Sequence, residues 1–220
     1  MKKSVISLLL GMCMLNSVSG AELLLEITPE GKVQTTKFRQ TAPKNLPAST
    51  SALSFDGKES ILSFTTPKPG KGFMDSFTFI ADVTFNAFAP AKKQSVIVHR
   101  VGYNNVLSVD FNGHAVASCW YITKEGKKAQ LRIWSRRKLK LNRPYQLASS
   151  TDRRPDGTIH STLLLDGLIE AEKTVTGKLY PYGTKLNVGK IPGQPDGFNG
   201  ILKSLKIYNG ALTVKEIIGE

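Results

Sequence analysis

Phe198 to Ile217 reads F-N-G-I-L-K-S-L-K-I-Y-N-G-A-L-T-V-K-E-I, and this stretch decides the fold. A mostly apolar run rich in Leu and Ile lies between two Asn-Gly pairs, Asn199-Gly200 and Asn209-Gly210. Each pair is expected to make a tight turn. Beyond the second, Thr213 and Glu216 have the spacing of a capping box, so one short helical turn is expected there. A strand this apolar is not expected at an open edge, where unpaired N–H and C=O groups invite association with other chains. It is expected in the middle of a sheet, paired with segments from much earlier in the chain.

Working outward from that run, the chain has almost no helical periodicity. Alternating or β-branched runs are separated by turn pairs at Asp56-Gly57, Asn112-Gly113, Glu125-Gly126, Asp156-Gly157 and Asp166-Gly167. Strands are predicted over Leu23–Ile27, Ala52–Phe55, Ser60–Phe64, Phe77–Phe85, Ser95–Val101 and Val106–Phe111. They continue over Val116–Ile122, Gln130–Ser135, Tyr145–Thr151, Thr158–Leu165, Lys185–Val188 and Ile201–Tyr208. Short strands at this spacing predict an all-β fold, a two-sheet antiparallel jelly-roll sandwich. Thr35–Ser51, polar and with two prolines, is predicted as a long loop, and the Pro/Gly-rich Lys190–Gly197 as another. No repeat of solenoid or propeller length is present.

Residues 1–20 are expected to be a secretory signal: Lys2 and Lys3, then an apolar Ile6–Leu15, then Val18-Ser19-Gly20 before Ala21. A lipid anchor on Cys13 is not favoured, because Met12 stands where a small residue is expected. Residues 21–220 are then a single domain, exported to the periplasm or outside the cell. No later apolar run approaches the roughly 18 residues of a membrane span. Cys119 is the one cysteine beyond the leader, which rules out an intrachain disulfide there, and it is read as a buried thiol. The chain has 30 Lys and Arg against 17 Asp and Glu. The leader takes two lysines and no acid, leaving 28 against 17, about +11. Such a charge fits acidic polysaccharide, another anionic surface polymer or a membrane surface. Nucleic acid is not expected, since there is no helix-turn-helix or zinc pattern.

Five pieces in order resemble the laminin-G-like branch of the concanavalin A-like lectin/glucanase superfamily. They are Ala52-Leu53-Ser54-Phe55-Asp56-Gly57, Ser76-Phe77-Thr78-Phe79, Leu164-Leu165-Asp166-Gly167, Leu186-Asn187-Val188-Gly189 and the closing segment itself. The resemblance runs from Ala52 onward and implies the same sandwich. Two departures stand out: Tyr145 where the family usually has Trp, and Lys203-Ser204 where it often has adjacent carboxylates. The superfamily includes sugar binders, protein binders, glycoside hydrolases and polysaccharide lyases, so fold alone does not choose among them.

The residues favour binding over catalysis. Glu170-Ala171-Glu172 is the nearest approach to the alternating carboxylates of a retaining glycosidase, and the third acid is missing, so both glutamates are read as exposed on an edge strand. Val96-Ile97-Val98-His99-Arg100 only loosely resembles the Gln-Ile-His strand of alginate-lyase-like jelly rolls, and His99 is read as a hydrogen-bonded residue at a strand end. His99, His114 and His160 have no zinc spacing. Asp152 and Asp156 could hold calcium, but Arg153 and Arg154 lie between them and a plain turn is expected. No catalytic residue, metal site or cofactor is therefore assigned.

The strand Gln130–Ser135 is the most informative surface. Alternation puts Leu131, Ile133 and Ser135 on one face, and Arg132, Trp134 and Arg136 on the other. An indole flanked by guanidinium groups can stack on a sugar ring while the cations pair with carboxylate or sulfate. Trp120 and Tyr121 point opposite ways on the preceding strand, so one of them is expected to join. The expected function is an exported, non-catalytic module for a glycan or acidic polysaccharide, with Arg132, Trp134, Arg136, and Trp120 or Tyr121 as the ligand-binding residues. The alternatives are a polysaccharide lyase or glycoside hydrolase on the same fold, or a module that binds a cell-surface protein.

Overall fold

The computed structural model describes residues 20–41, 52–66, 75–100, 105–180 and 183–219. The expected signal up to Ser19 and residues 42–51 of the first predicted loop lie outside the described residues. In chain order the strands are β1 (Glu22–Ile27), β2 (Val33–Thr35), β3 (Arg39–Gln40), β4 (Leu53–Asp56), β5 (Leu62–Thr65), β6 (Phe77–Ala87), β7 (Gln94–Arg100) and β8 (Asn105–Asp110). Then come β9 (His114–Ile122), β10 (Lys128–Lys138), β11 (Pro144–Arg153), β12 (Thr158–Leu165), β13 (Leu168–Thr176), β14 (Lys178–Leu179), β15 (Lys185–Val188) and β16 (Asn199–Asn209), followed by the helix α1 (Val214–Ile218). They form two antiparallel sheets, as expected. Sheet A runs β13-β12-β11-β6-β16-β1-β2 with β4 also on β16, and sheet B runs β10-β9-β8-β7-β15-β5-β3 with β14 on β9.

The closing strand is central in sheet A. β6 pairs along its whole length, and β1 and β4 pair with successive parts of it, Leu205–Asn209 and Asn199–Leu202. Leu202, Leu205 and Ile207 are all fully buried, although strict alternation would put Leu202 and Leu205 on opposite faces. A register shift against β6 between Leu202 and Ser204 supplies the extra residue, Lys203, so both leucines reach the core.

Neither Asn-Gly pair makes the expected tight turn. Asn199 and Gly200 are strand residues, paired with Ala87 and Phe85 on one side and with Asp56 and Phe55 on the other. Gly200 is needed for clearance, since a Cβ there would lie 2.0 Å from the Thr84 carbonyl oxygen. At the other end the Gly210 N–H donates to the Ser76 carbonyl (2.8 Å), and Thr78 Oγ1 donates to the Gly210 carbonyl (3.0 Å). The chain thus crosses the sheet end instead of doubling back. Asn-Gly makes a hairpin only when the runs on either side pair with each other, and here they pair with other strands. The capping box does form. The Glu216 N–H donates to Thr213 Oγ1, and the Thr213 N–H to Glu216 Oε2 at 2.7 Å. It holds α1 so that Ile217 covers Ile80, Ala148 and Leu164 on the outer face of sheet A.

The inner faces share one core that includes Phe79, Phe85, Leu107, Val109, Leu163, Leu186 and Leu205. Cys119 is buried in it, and burial pushes its thiol up to about 12 against an opposing hydrogen bond from Ser161. It holds no thiolate at ordinary pH and is unreactive.

At one end of the sandwich the sheet edges β10 and β13 are clamped together by Glu170. The expectation of two exposed glutamates is corrected here: Glu172 is exposed, but Glu170 is 4% exposed. Ala171 pairs with Leu163 and Ile169 with Leu164, so Glu170 is the extra residue of a bulge, and it turns inward. Its Oε2 accepts the N–H groups of Arg136 (2.9 Å) and Arg137 (3.0 Å), its Oε1 pairs with the Arg137 guanidinium, and that guanidinium also donates to the Leu165 carbonyl (2.7 Å). Burial alone would raise the carboxyl. The Arg137 N–H and guanidinium and the Arg136 N–H outweigh it and hold Glu170 below its ordinary 4.5.

Two outcomes follow for stability. Glu170→Ala strands two backbone N–H groups and is expected to cost about 3 kcal/mol in urea unfolding; a cost under about 0.5 kcal/mol, the range of an ordinary surface change, contradicts the clamp. Between β4 and β5, Asp56 Oδ1 accepts the N–H groups of Lys58, Glu59 and Ser60, each at 2.9 Å. Burial opposes ionisation, but these bonds prevail and hold the carboxyl at about 2. A depressed folded value stabilises above the unfolded value, and that contribution is lost as pH falls through the folded one. Melting temperature should therefore drop between the ordinary 3.8 and about 2, with a shallower drop in Asp56→Asn. Parallel profiles would contradict this assignment.

Candidate functional site

Alternation along β10 turns Leu131, Ile133 and Ser135 inward and leaves Arg132 and Trp134 on the outer face of sheet B, with Trp134 47% exposed. The pairings extend this position into a row across the sheet. Arg132 is opposite Ser118, Ser118 opposite Val106, Val106 opposite His99, His99 opposite Asn187, and Asn187 opposite Ser63. The next row runs Trp134, Val116, Ser108, Val96. Strands about 4.8 Å apart place His99 about three spacings from Arg132, on the same face.

The Arg132 guanidinium lies over the Trp134 ring, 5.8 Å from its centroid, the pairing expected of those two residues. Arg136 is exposed, but a register shift between Trp134 and Lys138 takes it out of the regular row, and its N–H is committed to Glu170. Trp120 shares the outer face, opposite Gln130. Its ring is capped by the Lys128 ammonium at 4.5 Å, which is also 4.7 Å from the ring of Tyr180. Tyr121 points the other way and packs against the core. Of the aromatic residues anticipated, Trp134 presents an open face, Trp120 is stacked under a cation, and Tyr121 stays inside.

Next to Arg132 is an open hollow of about 260 Å³. Its floor is Gln94 and Val96 of β7, and its rim comes from Lys92 and Lys93 before that strand and from Ile191, Gln194 and Asp196 before β16. Gln94 Oε1 accepts from Ser108 (3.2 Å), which fixes its amide. Lys93 and Asp196 form an ion pair across the rim. The rim charge is three cations against one carboxylate. Arg132 Nε is buried and makes no hydrogen bond among the described residues. The sequence reading missed Lys92, Lys93 and Gln94, and with them Asp196, which lies 103 residues beyond Lys93 in the chain. The one available signal was the Pro/Gly-rich Lys190–Gly197, read as a loop next to the final strand, and a loop is what it forms.

The other groups singled out are placed elsewhere. His99 is 4% exposed and lies within a row of the sheet, outside the hollow. His114 Nδ1 is 2.8 Å from the Ser135 carbonyl, and His160 Nδ1 is 2.9 Å from Thr174 Oγ1. Asp156 accepts from Thr158 N–H and Oγ1, while Asp152 accepts from Ser76 and faces Arg154 at 3.6 Å. Asp152 and Asp156 thus serve separate partners. Among the described residues no three His, Cys, Asp or Glu side chains gather as a metal site, and no helix is long and apolar enough to cross a membrane. A second hollow of about 250 Å³ lies on sheet A beside α1, with Asp152, His160 and Glu172 at one wall and Leu212, Val214 and Ile217 at the other.

Solved structures share this architecture at low identity. The botulinum neurotoxin serotype G binding domain superposes with a TM-score of 0.64 at 11% identity, over 90% of this chain and 50% of that one. A botulinum neurotoxin type C structure gives 0.60 at 12%, over 90% and 50%. A Trypanosoma rangeli sialidase gives 0.63 at 16%, over 89% of this chain and 32% of the enzyme. The chain thus spans half the length of the toxin chains and about a third of the sialidase. A comparison with curated proteins by sequence finds no match. The laminin-G type family model described as "Concanavalin A-like lectin/glucanases superfamily" matches residues 62–218, and with the two-sheet sandwich already established the chain belongs to that superfamily.

Proposed function

We propose that this chain is an exported, non-catalytic binding module that holds a glycan or another anionic surface polymer on the outer face of sheet B. The observation that carries the reading is Trp134, a large aromatic ring 47% exposed on a regular strand, with the Arg132 guanidinium beside it and a basic hollow that Arg132 also lines. The indole offers an apolar face to the C–H side of a sugar ring, and the cations offer charge-assisted hydrogen bonds to an acid substituent. Both residues stand on a paired strand, so little ordering is needed on binding. The overall excess of basic residues favours the approach of polyanions.

Relatives in fold support the ligand class without choosing the face. One structure concerns toxin cell entry that depends on two ganglioside molecules, and another a sialidase in complex with 2,3-difluorosialic acid. Catalysis gains no comparable support: His99 is buried away from the hollow, and Glu170 is committed to Arg136 and Arg137. In titration calorimetry against sulfated and uronate polysaccharides, Trp134→Ala and Arg132→Ala are each expected to weaken binding about five- to tenfold. The melting temperature of Trp134→Ala should stay near wild type. Undiminished affinity in folded variants would remove this face from consideration.

A further inference from the structure

The rim of the hollow contains a carboxylate where a basic site for polyanions would be expected to have none. Asp196 is ion-paired with Lys93 and lines the same hollow as Lys92 and Arg132. Its side chain is 25% exposed against 44% for Lys93, so the acid is the more enclosed partner. Asp196 belongs to the loop that ends at Gly197, and the backbone fixes that loop independently. Lys190 and Gly197 form a bridge, the Gly197 N–H donates to the Gly57 carbonyl (2.7 Å), and the Phe198 N–H donates to the Gly189 carbonyl. The loop therefore does not need the ion pair to stay in place.

Lys92 adds a second observation. Its φ is +67°, in the left-handed region that is unfavourable for a residue with a Cβ, in the turn closed by the Lys93 N–H to the Pro90 carbonyl (3.0 Å). Glycine would fit there without strain. A strained conformation held by a charged residue at a pocket rim is the kind that clusters at ligand sites. A third observation is Arg132 Nε, a donor beside the hollow that is buried and without a hydrogen-bond partner among the described residues.

We infer that Asp196 is a built-in stand-in for the ligand's acid group, so that Lys92, Lys93 and Arg132 form a subsite for one singly charged oxyanion, a sugar carboxylate or sulfate. This rests on the binding reading above and deepens it. At about 260 Å³ the hollow is smaller than the roughly 300–1,000 Å³ typical of drug-sized ligands. It takes one sugar or one acid substituent, and Trp134 receives the adjoining ring. The ligand's anion takes over the Lys93 ammonium from Asp196, whose carboxylate is released to water. Asp196 thereby lowers affinity for every acidic ligand and holds off weakly charged ones. Because a neutral sugar cannot compete for Lys93, the site discriminates by charge.

The test is calorimetry on wild type, Asp196→Asn and Lys93→Gln with three probes: a glucuronate-containing oligosaccharide, a sulfated oligosaccharide, and a neutral oligosaccharide of the same length. An exposed ion pair is worth roughly 0.2–1 kcal/mol, so Asp196→Asn should bind the acidic probes up to about fivefold tighter and leave the neutral probe unchanged. Lys93→Gln should bind them more weakly. Comparing the carboxylate and sulfate arms decides which oxyanion the site prefers. Weaker or unchanged binding of both acidic probes by Asp196→Asn, with its melting temperature kept, overturns the stand-in role while leaving the binding face intact. If wild type binds none of the three probes, the binding face and the subsite both fail.

Discussion

A strand can satisfy both rows of its backbone N–H and C=O groups only between neighbours on either side, and β16, near the C-terminus, meets that requirement with three strands that all lie between Glu22 and Ala87. β6 takes one side, and β1 and β4 share the other. Leu202, Leu205 and Ile207 then fix sheet A against the core. The start of β16 also positions the candidate site. Phe198 packs against Phe55 at 5.4 Å and Phe85 at 5.0 Å between centroids. Gly189 (φ +91°) passes beneath Phe55 so closely that a Cβ would come within 2.3 Å of the ring. Between these anchors the loop from Lys190 to Gly197 is carried over β7, where it meets Lys93 and faces Arg132.

The two outer faces diverge in character. On sheet A the segment after β16 folds back, and α1 covers Ile80, Ala148 and Leu164, which leaves the smaller hollow beside it with Asp152 and Glu172 at its wall. On sheet B the outer face carries Arg132, Trp134 and Lys128 and is rimmed by two lysines. Cations over aromatic rings recur there, at Trp134, Trp120 and Tyr180. A protein with an overall basic excess thus concentrates an aromatic and basic surface on one side.

Much of this was legible in the sequence because strand alternation and the capping box are local signals. The twelve predicted strands fall within a few residues of observed ones, while β2, β13, β14 and β3 (inside the predicted Thr35–Ser51 loop) were not among them. The split of β10 into Leu131 and Ile133 inside, Arg132 and Trp134 outside, followed from period two alone. What escaped depends on register. The bulge at Lys203 cannot be read without knowing that β6 is the partner, and the bulge at Glu170 converts an apparent surface acid into a buried clamp. The same limit hid the hollow: Lys92, Arg132 and Asp196 belong to segments that only the strand order of sheet B brings together. The Asn-Gly pairs misled for a related reason. The dipeptide marks where a turn is easy, while long-range pairing decides whether one forms.

The protein has two tryptophans, and the fold assigns them different environments on one face. Trp134 is open, and Trp120 lies under Lys128. Following both indole N–H resonances by NMR while titrating an acidic oligosaccharide therefore tests the account most directly. A saturable shift of the Trp134 resonance, larger than that of Trp120, is the expected result. Saturable binding that leaves Trp134 unmoved and instead perturbs His160 and its neighbours on sheet A would contradict it.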